Sequence, residues 1–307
     1  MRSESAEARH RAYALFGLVL TEGLSEATVE TLQQLPAIAD VLPRPFEADL
    51  AAAAHQEALG RQVFPYESTF RAEDGLLGGA VAAEVHAAYR EGGFAPDVAS
   101  IEPDHIGLQL AYLAHLARAE ADAIEDGHAA VVERCRGLSR RFLERHAGVW
   151  WPGFAAALAT QTSCAWLARI AALAVELTLA HRGLLGLGLQ DPLPVIRLDL
   201  DDPETGLRRI VNHLVRPIYS GMFLSLHGMG RAARVADLPS GFGSRVKVLE
   251  SLWHTAADHH GVPRLCSALV AEVEATAEVL REFGALDPRL DATREALLRV
   301  GQSVSEG

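Results

Sequence analysis

The chain has 307 residues, 49% of them hydrophobic, and sets 28 Lys and Arg against 40 Asp and Glu for a formal net charge of −12. That length and apolar content suffice for one large or two modest cores, while the acidic balance disfavours general attraction to nucleic-acid phosphates or anionic lipid and favours a basic partner. Cys135, Cys164 and Cys266 lie far apart with no CxxC pair, so neither a disulfide framework nor a zinc knuckle is indicated, and a reducing compartment fits best.

Met1 to Arg11 mixes charged and small residues without an apolar stretch; it does not read as a secretory signal, and a cytoplasmic protein is expected. Alanine and leucine dominate, apolar residues recur at three-to-four spacing, and β-branched residues rarely alternate with polar ones, so the fold class is all-α. Tyr13, Phe16, Leu20 and Leu24 mark a first helix, with Gly17 and Gly23 as weak spots. Thr28 to Leu35 forms a second and Phe46 to Gly60 a third, with Pro45 at its beginning. Pro65 breaks the pattern and leaves Tyr66 to Arg71 between helices, where a fixed backbone presents side chains. Helical spacing resumes over Gly75 to Tyr89 and stops at Gly92-Gly93, ahead of a loop holding Pro96 and Asp97. Pro103 and Asp104 then open a long helix with Ile106, Leu110, Leu113 and Ala117 on one face, which puts Asp104 and His105 in its exposed first turn.

After Gly127 a helix runs from Ala129 to His146, and Trp150-Trp151-Pro152 turns the chain into its longest apolar run, Phe154 to Ala180. Gln161, Arg169 and Glu176 interrupt that run, so it reads as a buried helix rather than a membrane span, with the two tryptophans as packing anchors. Pro192, Pro194, Asp199, Asp201, Asp202 and Pro203 have linker composition, and we expect a division into residues 1–190 and 191–307. Further helices are expected over Leu207 to Val235, broken near Pro217 and Ser220-Gly221, then over Gly243 to His259, Pro263 to Phe283 and Pro288 to Val300.

Three motifs follow one another along the first half: Pro65-Tyr66-Glu67-Ser68; Glu102-Pro103-Asp104-His105 with Leu108, Leu110 and Leu113; and Phe142-Leu143-Glu144-Arg145-His146 with Trp150, Pro152 and Phe154. In order and spacing this resembles the TorD/DmsD/NarJ family of cytoplasmic chaperones for molybdenum enzymes. The resemblance runs over residues 10–190, and the remainder resembles the extension of longer members. Where the family pattern has an acidic residue and a Phe-Met pair after the triplet, this chain has Gln109 and Tyr112-Leu113, a departure expected to leave the polar positions untouched.

The resemblance implies a TorD-like helical bundle with a C-terminal helical extension, no catalytic activity, and no cofactor or metal of its own. The implied partner is the apo catalytic subunit of a molybdenum oxidoreductase, recognised through its twin-arginine leader and held until its cofactor is inserted. Such a leader offers two guanidiniums and then an apolar segment, so its receptor needs carboxylates beside an aromatic-lined groove. The candidate peptide-binding residues are therefore Tyr66, Glu67, Ser68, Phe70, Asp104 and His105. Glu67 and Asp104 would supply charge, Tyr66 and Phe70 apolar surface, and His105 a hydrogen bond; for Tyr66 and Ser68 shaping the turn is an equal reading. Monomer and homodimer both remain open.

Two readings come from other classes. His254, Asp258 and His259 suggest a metal-dependent hydrolase, since His254 and Asp258 share a helix face, although no HExxH and no distant ligand accompany them. A helical adaptor joining two proteins without reading a leader is the other. There is no GxxxxGK[ST] loop and no GxSxG elbow, and Gly186-Leu187-Gly188 lacks the strand setting for dinucleotide binding.

Overall fold

A computed structural model describes residues 3–96, 101–188, 190, 193–202 and 204–305; Asp97, Pro192 and Pro203, read above as loop and linker, lie outside them, as do Met1 and Arg2. Among the described residues every named element is helical. The first ten are α1 (Ser3–Glu22), α2 (Glu26–Gln33), α3 (Pro36–Ala39), α4 (Ala48–Glu57), α5 (Glu67–Arg71), α6 (Gly79–Glu91), α7 (Ile106–Glu125), α8 (Ala129–Phe142), α9 (Gly148–Gln161) and α10 (Ala165–Leu184). After the linker come α11 (Leu207–Val215), α12 (Pro217–Ser220), α13 (Leu226–Val235), α14 (Arg245–Asp258), α15 (Val262–Glu282) and α16 (Pro288–Ser305). Single π turns follow α4 over Ala58–Gln62 and α8 over Leu143–Ala147.

Several boundaries differ from the sequence reading, each for a local reason. Pro45 precedes rather than heads its helix, which starts at Ala48. Tyr66 to Arg71 is mostly the short helix α5. Trp150, Trp151 and Pro152 do not turn the chain but sit early in α9, just after the second π turn. α8, the π turn and α9 follow one another without a break, so Pro152 lies inside a continuous helical stretch, where it has no N–H to give to the preceding turn. The apolar run is two helices parted at Thr162–Cys164, where the Thr162 hydroxyl caps the Leu158 carbonyl.

α1 and α7 lie side by side and bury Tyr13, Phe16, Leu20, Leu110 and Leu113. They approach closely because Gly17 and Gly107 face each other: a Cβ on Gly107 would lie 1.9 Å from Thr21 Oγ1 and 2.9 Å from the Gly17 carbonyl. The same pair buries an ion pair, Arg9 with Glu120 at 2.6 Å, which Arg136 joins at 2.9 Å. The apolar residues of α1 to α10 form one core, into which Phe223 inserts; those of α11 to α16 form a second, which takes in Ala156 from α9. A buried polar cluster reinforces the junction. Glu272 on α15 accepts from Gln161 of α9 at 2.8 Å and pairs with Arg231 of α13 at 2.6 Å, while the Gln161 carbonyl accepts from the amide and hydroxyl of Ser225. The linker is tied down as well, through Arg197–Glu295 and Arg299–Asp201.

All three cysteines are free and buried. Among the described residues no helix is long and apolar enough to cross a membrane.

Candidate functional site

The three sequence motifs meet around one carboxylate. An isolated antiparallel bridge pairs Tyr66 with His105: the Glu67 N–H donates to the Asp104 carbonyl at 3.0 Å and the Ile106 N–H to the Pro65 carbonyl at 2.9 Å. Main-chain bonds thus hold the entry of α5 against the entry of α7.

Glu67 is fully buried at the centre. Gln109 Nε2 donates to its Oε2 at 2.6 Å, His146 Nδ1 stands 3.0 and 3.2 Å from its two oxygens, and Arg71, one helical turn on, forms an ion pair with Oε1. Against a carboxylate acceptor, the proton of His146 is assigned to Nδ1. The Gln109 carbonyl in turn accepts both indole N–H groups, from Trp150 at 3.1 Å and Trp151 at 2.9 Å. A buried charge is tolerable only when paired and hydrogen-bonded; Glu67 meets that condition through side chains from its own helix, α7 and the π turn before α9.

Asp104 is also without solvent access. Its Oδ2 accepts the Ser68 N–H at 2.7 Å, while Oδ1 has no hydrogen-bond partner. Burial pushes the Asp104 carboxyl above its ordinary range, against the Ser68 bonds, which pull it down. Ser68 Oγ accepts the Gly78 N–H at 3.0 Å and so fixes the loop after α5. His105 is the N-cap of α7, its Nδ1 accepting the Gly107 N–H at 3.0 Å. Burial pushes its imidazole down to about 4, which keeps that nitrogen a free acceptor at neutral pH. The ring meets Tyr66 edge-on at 5.1 Å.

The exposed helix start expected for Asp104 and His105 is therefore not found. α7 begins at Ile106, and Glu67, Ser68, Asp104 and His105 are all buried, with Tyr66 half-buried beside them. Phe70 is buried among Trp150, Phe154 and Phe223 at 5.3 to 6.1 Å. The substitution of Gln109 does touch the polar positions, because Gln109 is the residue that joins Glu67 to both tryptophans.

Beside this network a cavity of about 630 Å³ opens between the two cores. One wall is Phe70 and Arg71 with Val149 and Gly153 of α9 and Leu179 of α10; the other is the turn of residues 283–287 between α15 and α16 with the first turn of α16. Leu286 stands at its rim, 78% exposed. Arg71 belongs to both features, since it lines the cavity and pairs with Glu67. The Glu67–Arg71 pair follows the i,i+4 spacing of a helix, a signal present in the sequence once Tyr66 to Arg71 is read as helical. Nothing comparable announces the roles of Gln109 and His146, whose contacts with Glu67 span 42 and 79 positions.

His254, Asp258 and His259 are exposed at the end of α14, and among the described residues no group of three His, Cys, Asp or Glu is placed to hold a metal ion.

Residues 20–156 match the family model described as nitrate reductase delta subunit. The whole Glu67 network lies within the match, which ends inside α9, so α10 to α16 and the far wall of the cavity lie beyond it. No curated protein matches the chain, and no solved structure does.

Proposed function

We propose, from the match of residues 20–156 to the nitrate reductase delta subunit model, that the chain is a molybdoenzyme maturation chaperone that binds the leader of a molybdenum oxidoreductase catalytic subunit in the cytoplasm and holds that subunit until cofactor loading. The supporting observation is the cavity between the cores, which sets apolar walls beside a buried carboxylate. The apolar segment of a leader would lie along Val149, Gly153, Leu179 and Leu286, with its basic end toward Arg71 and Glu67. Phe70 forms part of that wall. Ser68, Asp104 and His105 hold the wall's backbone in place, and Tyr66 covers His105.

On this reading the division at residue 190 separates a chaperone unit from an extension that completes the groove. The net charge of −12 speeds encounter with a basic peptide, and release follows from weaker binding of the loaded client, since equal affinity for both forms would not sort them.

Gly153→Leu tests the site. An added Cβ there meets only the Phe70 ring, at 3.9 Å, so the larger side chain fills the groove without a backbone clash. Calorimetry with a synthetic peptide of paired arginines ahead of an apolar run should show at least about a tenfold loss of affinity, about 1.4 kcal/mol, with melting temperature unchanged or raised. Undiminished binding would move the leader elsewhere.

A further inference from the structure

The partners of Glu67 are of two kinds. His146 and Gln109 are buried, and Gln109 is held by two further hydrogen bonds from the indoles. Arg71 is different: 22% of its side chain is exposed, it lines the groove, and the ion pair with Glu67 is its only hydrogen bond or salt bridge among the described residues. Among the described residues, one ion pair on the groove side is its polar anchor.

Resting on the leader-binding reading above, we propose that Glu67 is a guanidinium subsite and that Arg71 occupies it in the free protein as an internal stand-in, to be displaced by an arginine of the client segment in the groove. The exchange conserves charge. A guanidinium leaves the carboxylate as another arrives, so the buried anion is never left unpaired, which is the costly state. Arg71 swings into water on its own flexible stem. The subsite is selective as well, because a guanidinium is more weakly hydrated than an ammonium and leaves water more readily for a buried carboxylate. Burial of Glu67 is then compatible with its acting as the receptor carboxylate, since access is through replacement rather than through open solvent.

The test uses Arg71→Ala in the full chain. With its internal competitor removed, the variant should bind the twin-arginine peptide about tenfold more tightly than the wild type, and a twin-lysine peptide should gain less. Without any peptide, millimolar ethylguanidinium should raise the variant's melting temperature by about 2 °C or more, as a ligand of the native state does. Ethylammonium should not, and the wild type should respond to neither. Arg71→Ala binding the peptide no more tightly than wild type overturns the exchange; absence of the guanidinium effect overturns the subsite. If ethylguanidinium stabilises the variant while neither protein binds the peptide, the subsite stands and the leader reading fails. Should Arg71→Ala not fold, Arg71→Gln carries the same measurements.

Discussion

At Asp104 one carboxylate oxygen accepts the Ser68 amide while the other meets no donor, so the charged form gains little from its surroundings and loses its hydration. The raised carboxyl pKa fixes a sign. Between the unfolded and folded values the native state binds more protons, so this residue's contribution to stability is present at low pH and is lost as pH rises through the folded value. Asp104→Asn keeps an acceptor for Ser68 without the charge. It should match or exceed wild-type stability at about pH 7 and lose that advantage near pH 4, as read by urea unfolding at both. Asp104→Ala should instead cost about 1–3 kcal/mol by stranding the Ser68 N–H. A neutral-pH loss in the asparagine variant would mean that the native fold uses the charge. The motifs do pick out residues that meet in space, but residue type says little about exposure: acidic and histidine side chains in a helical sequence read as surface, and, Arg71 apart, the partners of Glu67 and Asp104 stand 36 to 79 positions away.

The α1–α7 crossing shows what could be read at the scale of elements. Both helices are evident from apolar spacing, yet Gly17, read as a weak spot, is where the two backbones come closest. Gly107→Ala would put a methyl carbon into Thr21 Oγ1 and the Gly17 carbonyl, and the second obstacle is backbone that cannot rotate away. The helices must part, with a loss of about 1–3 kcal/mol or more and little change in helical circular dichroism. A melting temperature equal to wild type would show that the crossing has slack. Helix ends were harder to foresee for a related reason: the break at Thr162–Cys164 contains neither proline nor glycine, and the proline in α9 marks no break at all.

Over the whole molecule, composition around residues 190–203 signals a boundary but not the interlock across it. Phe223, between α12 and α13, meets Phe64 edge-on at 6.2 Å and Phe70 at 5.3 Å, and the Arg245 guanidinium sits 4.3 Å from its ring centroid. Phe223→Ala should cost about 3–5 kcal/mol in denaturant unfolding. Because Phe70 is also groove wall, peptide affinity should fall with it. Lost stability with unchanged affinity would separate the groove from the interlock.

The groove draws one wall from α5, α9 and α10 and the other from the turn between the last two helices. A chain still being synthesised has the first wall long before the second, so it passes through most of its own manufacture with no complete site to offer. If the groove receives a client segment as proposed, that competence arrives only once α15 and α16 have been made.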